Sequence, residues 1–109
     1  MKPICRVTKH GIKYWHLNNQ LHREDGPAYE DSNGSKEWYI NGKRHREDGP
    51  AVERFDEGKW WYLNGKLHRE NGPAVEMING HKAWYLNDKY IVCKDNQEFL
   101  KIVKLMVFL

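Results

Sequence analysis

Cysteine is scarce in this sequence: there are two among 109 residues, and Cys5 and Cys93 stand at opposite ends instead of clipping neighbouring loops. A small secreted domain usually carries a denser, even set, so the expectation is free thiols in a reducing, cytoplasmic setting. Long apolar runs are lacking too. The run at residues 99–109 is too short to span a bilayer, and the start, MKPICRVTKHG, has no apolar signal core, so the chain is expected to be soluble. Nor does the body carry an excess of either charge. Net charge is +3, yet between Gly11 and Tyr90 12 Lys and Arg stand against 13 Asp and Glu, leaving the surplus in the two termini. That argues against a general nucleic-acid binder, which needs a basic footprint. Aliphatic residues are few as well, with a mean hydropathy of −0.91, while aromatics reach 13% with five Trp. At this length the chain makes one domain, residues 1–109, in which side-chain ladders have to replace a deep core.

What is present is a period of 23. Trp15, Trp38, Trp61 and Trp84 keep it, as do Asn18, Asn41, Asn64 and Asn87. His22, His45 and His68 follow the same step, each with Arg23, Arg46 or Arg69 directly after it. Gly26-Pro27-Ala28, Gly49-Pro50-Ala51 and Gly72-Pro73-Ala74 recur with Glu30, Glu53 and Glu76 two residues beyond each Ala. Aromatic and branched runs such as Glu37-Trp38-Tyr39-Ile40 suit strands, and Asn41-Gly42 supplies the positive φ of a tight turn. Pro starts a return strand, where no ladder donor is needed. Asn33-Gly34 or Asn79-Gly80 leads into the next copy. The spacing thus predicts an all-β repeat, a single-layer antiparallel meander of about eight short strands. It divides into a lead-in strand over 1–10, four hairpin repeats over 11–90 and a capping segment over 91–109. Between Glu53 and Gly58 lie four residues where the other copies have three, which reads as an insertion absorbed within a turn. Gly49 is expected at positive φ, so a β-branched residue there would be strained.

The unit resembles a MORN-type repeat, in the W-Y-x-N-G-x-x-H-R-x-D-G-P-A form of bacterial, phage and large-virus proteins. The likeness covers about three-quarters of the chain. It implies an elongated, twisted β-meander acting as a scaffold, as a lipid-headgroup or partner-binding surface, or as an antitoxin component. The first copy departs from it at His16 and Asn19, and the last has Asp88 for Gly and loses the His-Arg-Glu-Asp-Gly-Pro stretch. Atypical end copies are what a finite stack requires.

His-Arg-Glu-Asp could carry general-base chemistry, but an active site needs one constellation, not three near-identical ones. The structural alternative has Asp25, Asp48 and Asn71 capping their own turns and each His bonding backbone. A shared metal ion does not fit, because equivalent His residues should lie roughly 10 Å apart by strand spacing. No cofactor or metal is expected. The Trp and Tyr stripe reads as the core of a thin sheet, with Trp and Tyr of one copy on opposite faces. A stacking platform for single-stranded nucleic acid would need a basic groove as well. Partner contacts are assigned to Arg23, Arg46, Arg69, Tyr39, Tyr62 and Tyr85, residue types enriched at interfaces.

In the tail, Asp95 to Glu98 has the spacing of a capping box, and Phe99, Ile102, Val103 and Met106 share a helical face. This segment is expected to be a helix covering the sheet; a dimer or partner surface and a strand over Val103–Leu109 are the alternatives. The functional expectation is a non-catalytic protein-binding module, and the resemblance implies a small inhibitor of the antitoxin or anti-defence kind. An anionic-ligand binder, taking lipid headgroups or nucleic acid on the Arg row and basic termini, is the alternative, and membrane-surface binding is not favoured.

Overall fold

In a computed structural model that describes residues 1–106, the chain forms a thin strip of 48 × 32 × 17 Å. Its radius of gyration is 15.7 Å, against about 13 Å for a compact domain of this length. The lead-in contributes β1 (Ile4–Val7) and the first repeat β2 (Lys13–Leu17), β3 (Gln20–Leu21) and β4 (Tyr29–Glu30). Then come β5 (Lys36–Glu37), β6 (Tyr39–Ile40), β7 (Lys43–Arg44) and β8 (Val52–Arg54) in the second repeat. The third holds β9 (Gly58–Trp60), β10 (Tyr62–Leu63), β11 (Lys66–Leu67) and β12 (Val75–Met77), and the fourth β13 (Lys82–Leu86) and β14 (Lys89–Ile91). Helix α1 (Asn96–Met106) follows. All pairings are antiparallel, and the long sheet runs β1-β2-β4-β5-β8-β9-β12-β13-β14.

There are more strands than expected because each return arm is interrupted. In the second repeat Tyr39 pairs with Arg44 and Glu37 with Val52, so residues 45–51 all stand opposite Trp38. The Trp38 carbonyl accepts the His45 N–H at 3.0 Å, and the Trp38 N–H donates to the Ala51 carbonyl at 2.7 Å. The stretch Arg46 to Pro50 is thereby pushed out of the ladder as a loop. The same bonds recur around Trp15 and Trp61. Joining β3 to β4, β5 to β6 and so on leaves the lead-in β1 and eight repeat arms, an open single-layer meander.

Tight turns sit where the Asn residues place them. Asn41 and Gly42 have φ of 50° and 77°, and Asn18-Asn19 and Asn87-Asp88 adopt the same left-handed pair without glycine. The expected insertion near Gly58 does not exist. Asp31 faces Ser35, Arg54 faces Gly58 and Met77 faces His81, so all three loops hold three residues. The glycine has simply moved one place along. A Cβ on Gly58 would run into the backbone of Glu76 and Met77 on the neighbouring arm, which only Gly avoids.

Register puts different rows on the two faces. On one face Lys13, Glu30, Lys36, Glu53, Lys59, Glu76 and Lys82 are successive cross-strand partners, alternating in charge over the whole sheet. Each such neighbour contributes about 0.2–1 kcal/mol. The four repeat tryptophans lie on this face, and the backbone N–H groups of Trp15, Trp38 and Trp61 donate to Ala28, Ala51 and Ala74, all of which are fully buried. Small residues between the indoles leave room for the rings. The opposite face buries Val52 and Val75.

The helix closes the last repeat. The Asp95 side chain accepts the Glu98 N–H at 2.9 Å, the N-cap contact expected of the capping box, while Glu98 reaches back to the Lys94 N–H instead of the cap's own. Phe99 is fully buried 6.3 Å from the Trp84 ring, and the Trp84 indole N–H donates to Asn96 Oδ1 at 3.0 Å. Val103 to Met106 is helical, so these residues form no strand, and the remainder of that alternative, 107–109, lies outside the described residues. Phe99 is enclosed by its own chain and is no free dimer surface, whereas Leu100 and Leu105 are exposed. Among the described residues no helix is long and apolar enough to cross a membrane. Replacing Phe99 by Ala should cost about 3–5 kcal/mol, read as a lower midpoint in urea with an unchanged far-UV strand signal before the transition. A midpoint equal to the parent's would mean that α1 contributes nothing to the sheet.

Candidate partner-binding surfaces

The Arg row is turned inward. Arg23, Arg46 and Arg69 each lay the guanidinium carbon 3.9 Å from the ring centroid of Trp15, Trp38 and Trp61. Such stacks contribute on the order of 1–2 kcal/mol when partly desolvated. Arg Nε donates to Asp25, Asp48 or Asn71 at 3.0–3.2 Å, and Nη1 donates to the carbonyl of Pro27, Pro50 or Pro73 at 3.0–3.1 Å. Glu30, Glu53 and Glu76 complete the ring of acceptors at 4.0, 3.7 and 3.3 Å. About a quarter of each Arg side chain remains exposed. Asp25, Asp48 and Asn71 thus hold the guanidinium instead of capping their own turns, and Asn serves in the third copy because the Arg asks only for an acceptor oxygen.

This arrangement corrects the reading of the Gly-Pro pairs. Gly26, Gly49 and Gly72 do not have positive φ. A Cβ at these positions would lie 2.8–2.9 Å from the Arg Cζ, so glycine is there to let the guanidinium reach the indole.

Each His ties one repeat to the next. His22, His45 and His68 accept the backbone N–H of Asn41, Asn64 and Asn87 on Nδ1 at 2.9–3.0 Å. An accepting Nδ1 leaves the proton on Nε2, which points towards Glu24, Glu47 and Glu70 at 3.4–3.7 Å. The arms beyond Trp38 and Trp61 have left the long sheet, and the His side chain stands in for a ladder bond there. Among the described residues no three His, Cys, Asp or Glu side chains gather as metal ligands.

On the opposite face Tyr39, Tyr62 and Tyr85 form a half-exposed stripe with residues that the period does not pick out. Glu37 accepts the Tyr39 hydroxyl at 2.9 Å and Arg44 Nη2 at 3.2 Å, with Arg54 at 3.7 Å. Arg44 lies 5.4 Å over Tyr62, Arg54 lies 5.6 Å over Trp60, and Tyr85 meets Tyr90 at 5.5 Å. Burial, together with the bond to Glu37, raises the Tyr39 phenol above its ordinary pKa against an opposing bond from Arg44. The phenol therefore stays a neutral donor at physiological pH. Glu37, Arg44, Arg54 and Trp60 escape a consensus reading because Tyr14 or Ala83, Leu67, and Asp31 or Met77 fill the equivalent places in other copies. Strand alternation was the signal that could have found Glu37 beside Tyr39. The Arg and Tyr rows, taken together from the sequence as one contact surface, lie on opposite faces.

Both cysteines are free, and burial, aided by Glu98 and Asp95, pushes the Cys93 thiol up. Comparison with models of protein families, with curated proteins and with solved structures finds no match to the chain.

His22→Leu should cost about 1–3 kcal/mol by stranding the Asn41 N–H, whereas His22→Asn, whose Oδ1 can take the place of Nδ1, should recover most of it in thermal melts. Equal losses would show that the bond does not matter. For the glycine, Gly49→Ala should destabilise by about 1 kcal/mol or more, and by far less in an Arg46→Ala background. A cost that is the same in both backgrounds would acquit the guanidinium.

Proposed function

We propose that the protein is a non-catalytic binding module of the MORN-type repeat class that holds another protein against its tyrosine face. The observation that carries this reading is the half-exposed stripe of Tyr39, Arg44, Tyr62, Trp60, Arg54 and Tyr85, in which Glu37 holds Tyr39, Arg44 and Arg54 together. Trp, Tyr and Arg supply most of the energy at protein interfaces. A brace of hydrogen bonds and stacks means that little side-chain freedom is lost on docking. Family resemblance adds the finer reading, a small inhibitor of the antitoxin or anti-defence kind. The two free cysteines agree with work in a reducing cytoplasm, of the host cell if the gene is viral.

Binding of lipid headgroups or nucleic acid through the Arg row has weaker support. Arg23, Arg46 and Arg69 already face carboxylates or carbonyls of their own repeats, so an incoming phosphate would have to displace them.

A tagged protein passed over lysate of its native host, at moderate and at high salt, tests the reading. The expected outcome is one stoichiometric protein, retained at high salt and lost with Tyr62→Ala/Arg54→Ala while the variant's melting curve shows it folded. Recovery of nucleic acid or lipid alone, released by salt, would sink the proposal, since polyanion contacts weaken steeply with ionic strength.

A further inference from the structure

On the tryptophan face three concavities follow one another along the array and share walls. The first, about 830 Å³, lies between the turns at Asp25 and Asp48 over Trp38 and Ile40. The second, about 580 Å³, lies between Asp48 and Asn71 over Trp61 and Leu63. The third, about 440 Å³, runs from Glu70 over Leu86 to α1, whose Val103 and Met106 form its end. They make one trough crossing the arms, with half-buried aromatic and branched side chains on its floor.

Its rim is acidic. Glu24, Asp25, Glu47, Asp48 and Glu70 have side chains 76–88% exposed. Arg23 and Arg46 are paired with Asp25 and Asp48, whereas Glu24, Glu47 and Glu70 face only a His ring that donates from Nε2. These three glutamates stand against one exposed cation in the lining, Lys89, so carboxylate exceeds cation along the trough.

The carboxylates recur every two arms, roughly 9.6 Å apart. A polyproline II helix rises ~3.1 Å per residue with three residues per turn, so every third side chain points the same way at ~9.3 Å. A flat strand fails this match, because its residues i and i+3 point to opposite sides. Aromatic-lined grooves are also the usual seat of polyproline II segments.

We propose that this trough binds an extended, proline-rich basic segment of a partner polypeptide, with Arg or Lys at every third position. The cations meet Glu24, Glu47 and Glu70, one in each repeat, with Asp25 and Asp48 beside the first two, while the intervening residues rest on Trp38, Ile40, Trp61 and Leu63. The site is separate from the tyrosine face, so either reading can fail without the other.

The test uses the full chain and a synthetic peptide, acetyl-(Pro-Pro-Arg)4-amide, titrated by calorimetry and followed by the fluorescence of the floor tryptophans. Two comparison peptides are used: one of the same composition with its four Arg contiguous, and a helical one with Arg at every seventh position. Saturable binding is expected for the first, at least tenfold weaker binding for the others, and a loss of at least tenfold with Glu47→Gln/Asp48→Asn. That variant is expected to fold, because both side chains are exposed and Asn already stands at the third copy's equivalent, Asn71. Tyr62→Ala, on the other face, should leave the titration unchanged. Absence of binding, equal binding of either comparison peptide, or indifference to the Glu47 and Asp48 changes would each overturn the proposal.

Discussion

In each of the first three repeats a guanidinium lies flat on an indole, and the rest of the repeat is arranged to allow it. The loop that carries the Arg must leave the ladder, which is why the return arm breaks opposite the Trp. Glycine must follow three residues later, because a Cβ would strike the guanidinium. Pro contributes a carbonyl with no competing N–H, Asp or Asn takes Nε, and Glu approaches Nη1 from the next strand. Ala beneath keeps the layer thin enough for the rings. Read this way, the His-Arg-Glu-Asp-Gly-Pro-Ala string is one packing unit. It gives a sheet with few aliphatics an apolar interior built from indole faces and the covered stems of arginines.

Such a unit leaves its end copies incomplete, and the chain solves the two ends differently. At the C-terminal end the position equivalent to Arg23 is Val92, which is exposed, so Trp84 has no guanidinium to cover it. Helix α1 supplies Phe99 and the Asn96 amide instead, and Trp84 becomes the most deeply buried of the repeat tryptophans. At the other end β1 runs along β2 with all four residues exposed, its edge blunted by Arg6.

Because the guanidiniums are used for packing, the two faces are left with distinct chemistry. The tryptophan face shows alternating Lys and Glu along the sheet and, on the ejected loops, Glu24, Glu47 and Glu70 with only a His beside each. The tyrosine face shows aromatic rings and the two arginines, Arg44 and Arg54, that share Glu37. On the readings proposed above, a protein partner takes the second face and a cationic segment the first. A strip with two usable faces suits a module that brings two things together or covers one of them.

The period of 23 was enough to predict the open meander, the Asn turns and the contact of His with backbone, and the capping-box spacing of Asp95 to Glu98 the helix after it, because each follows from local bonding or strand alternation. Gly49, the supposed insertion before Gly58 and the Arg row were misread for a common reason. Glycine looks the same in a sequence whether it serves a left-handed turn, as Gly42 does, or clears space for a side chain or backbone from elsewhere. Arg46 likewise reads as a surface cation until its loop is seen to fold back over Trp38. Glu37, Arg44, Arg54 and Trp60 belong to no repeat pattern, and only the register between arms brings them together. Local spacing therefore determined the elements and their order, while the direction in which each ejected loop turns was decided by the indole it could cover.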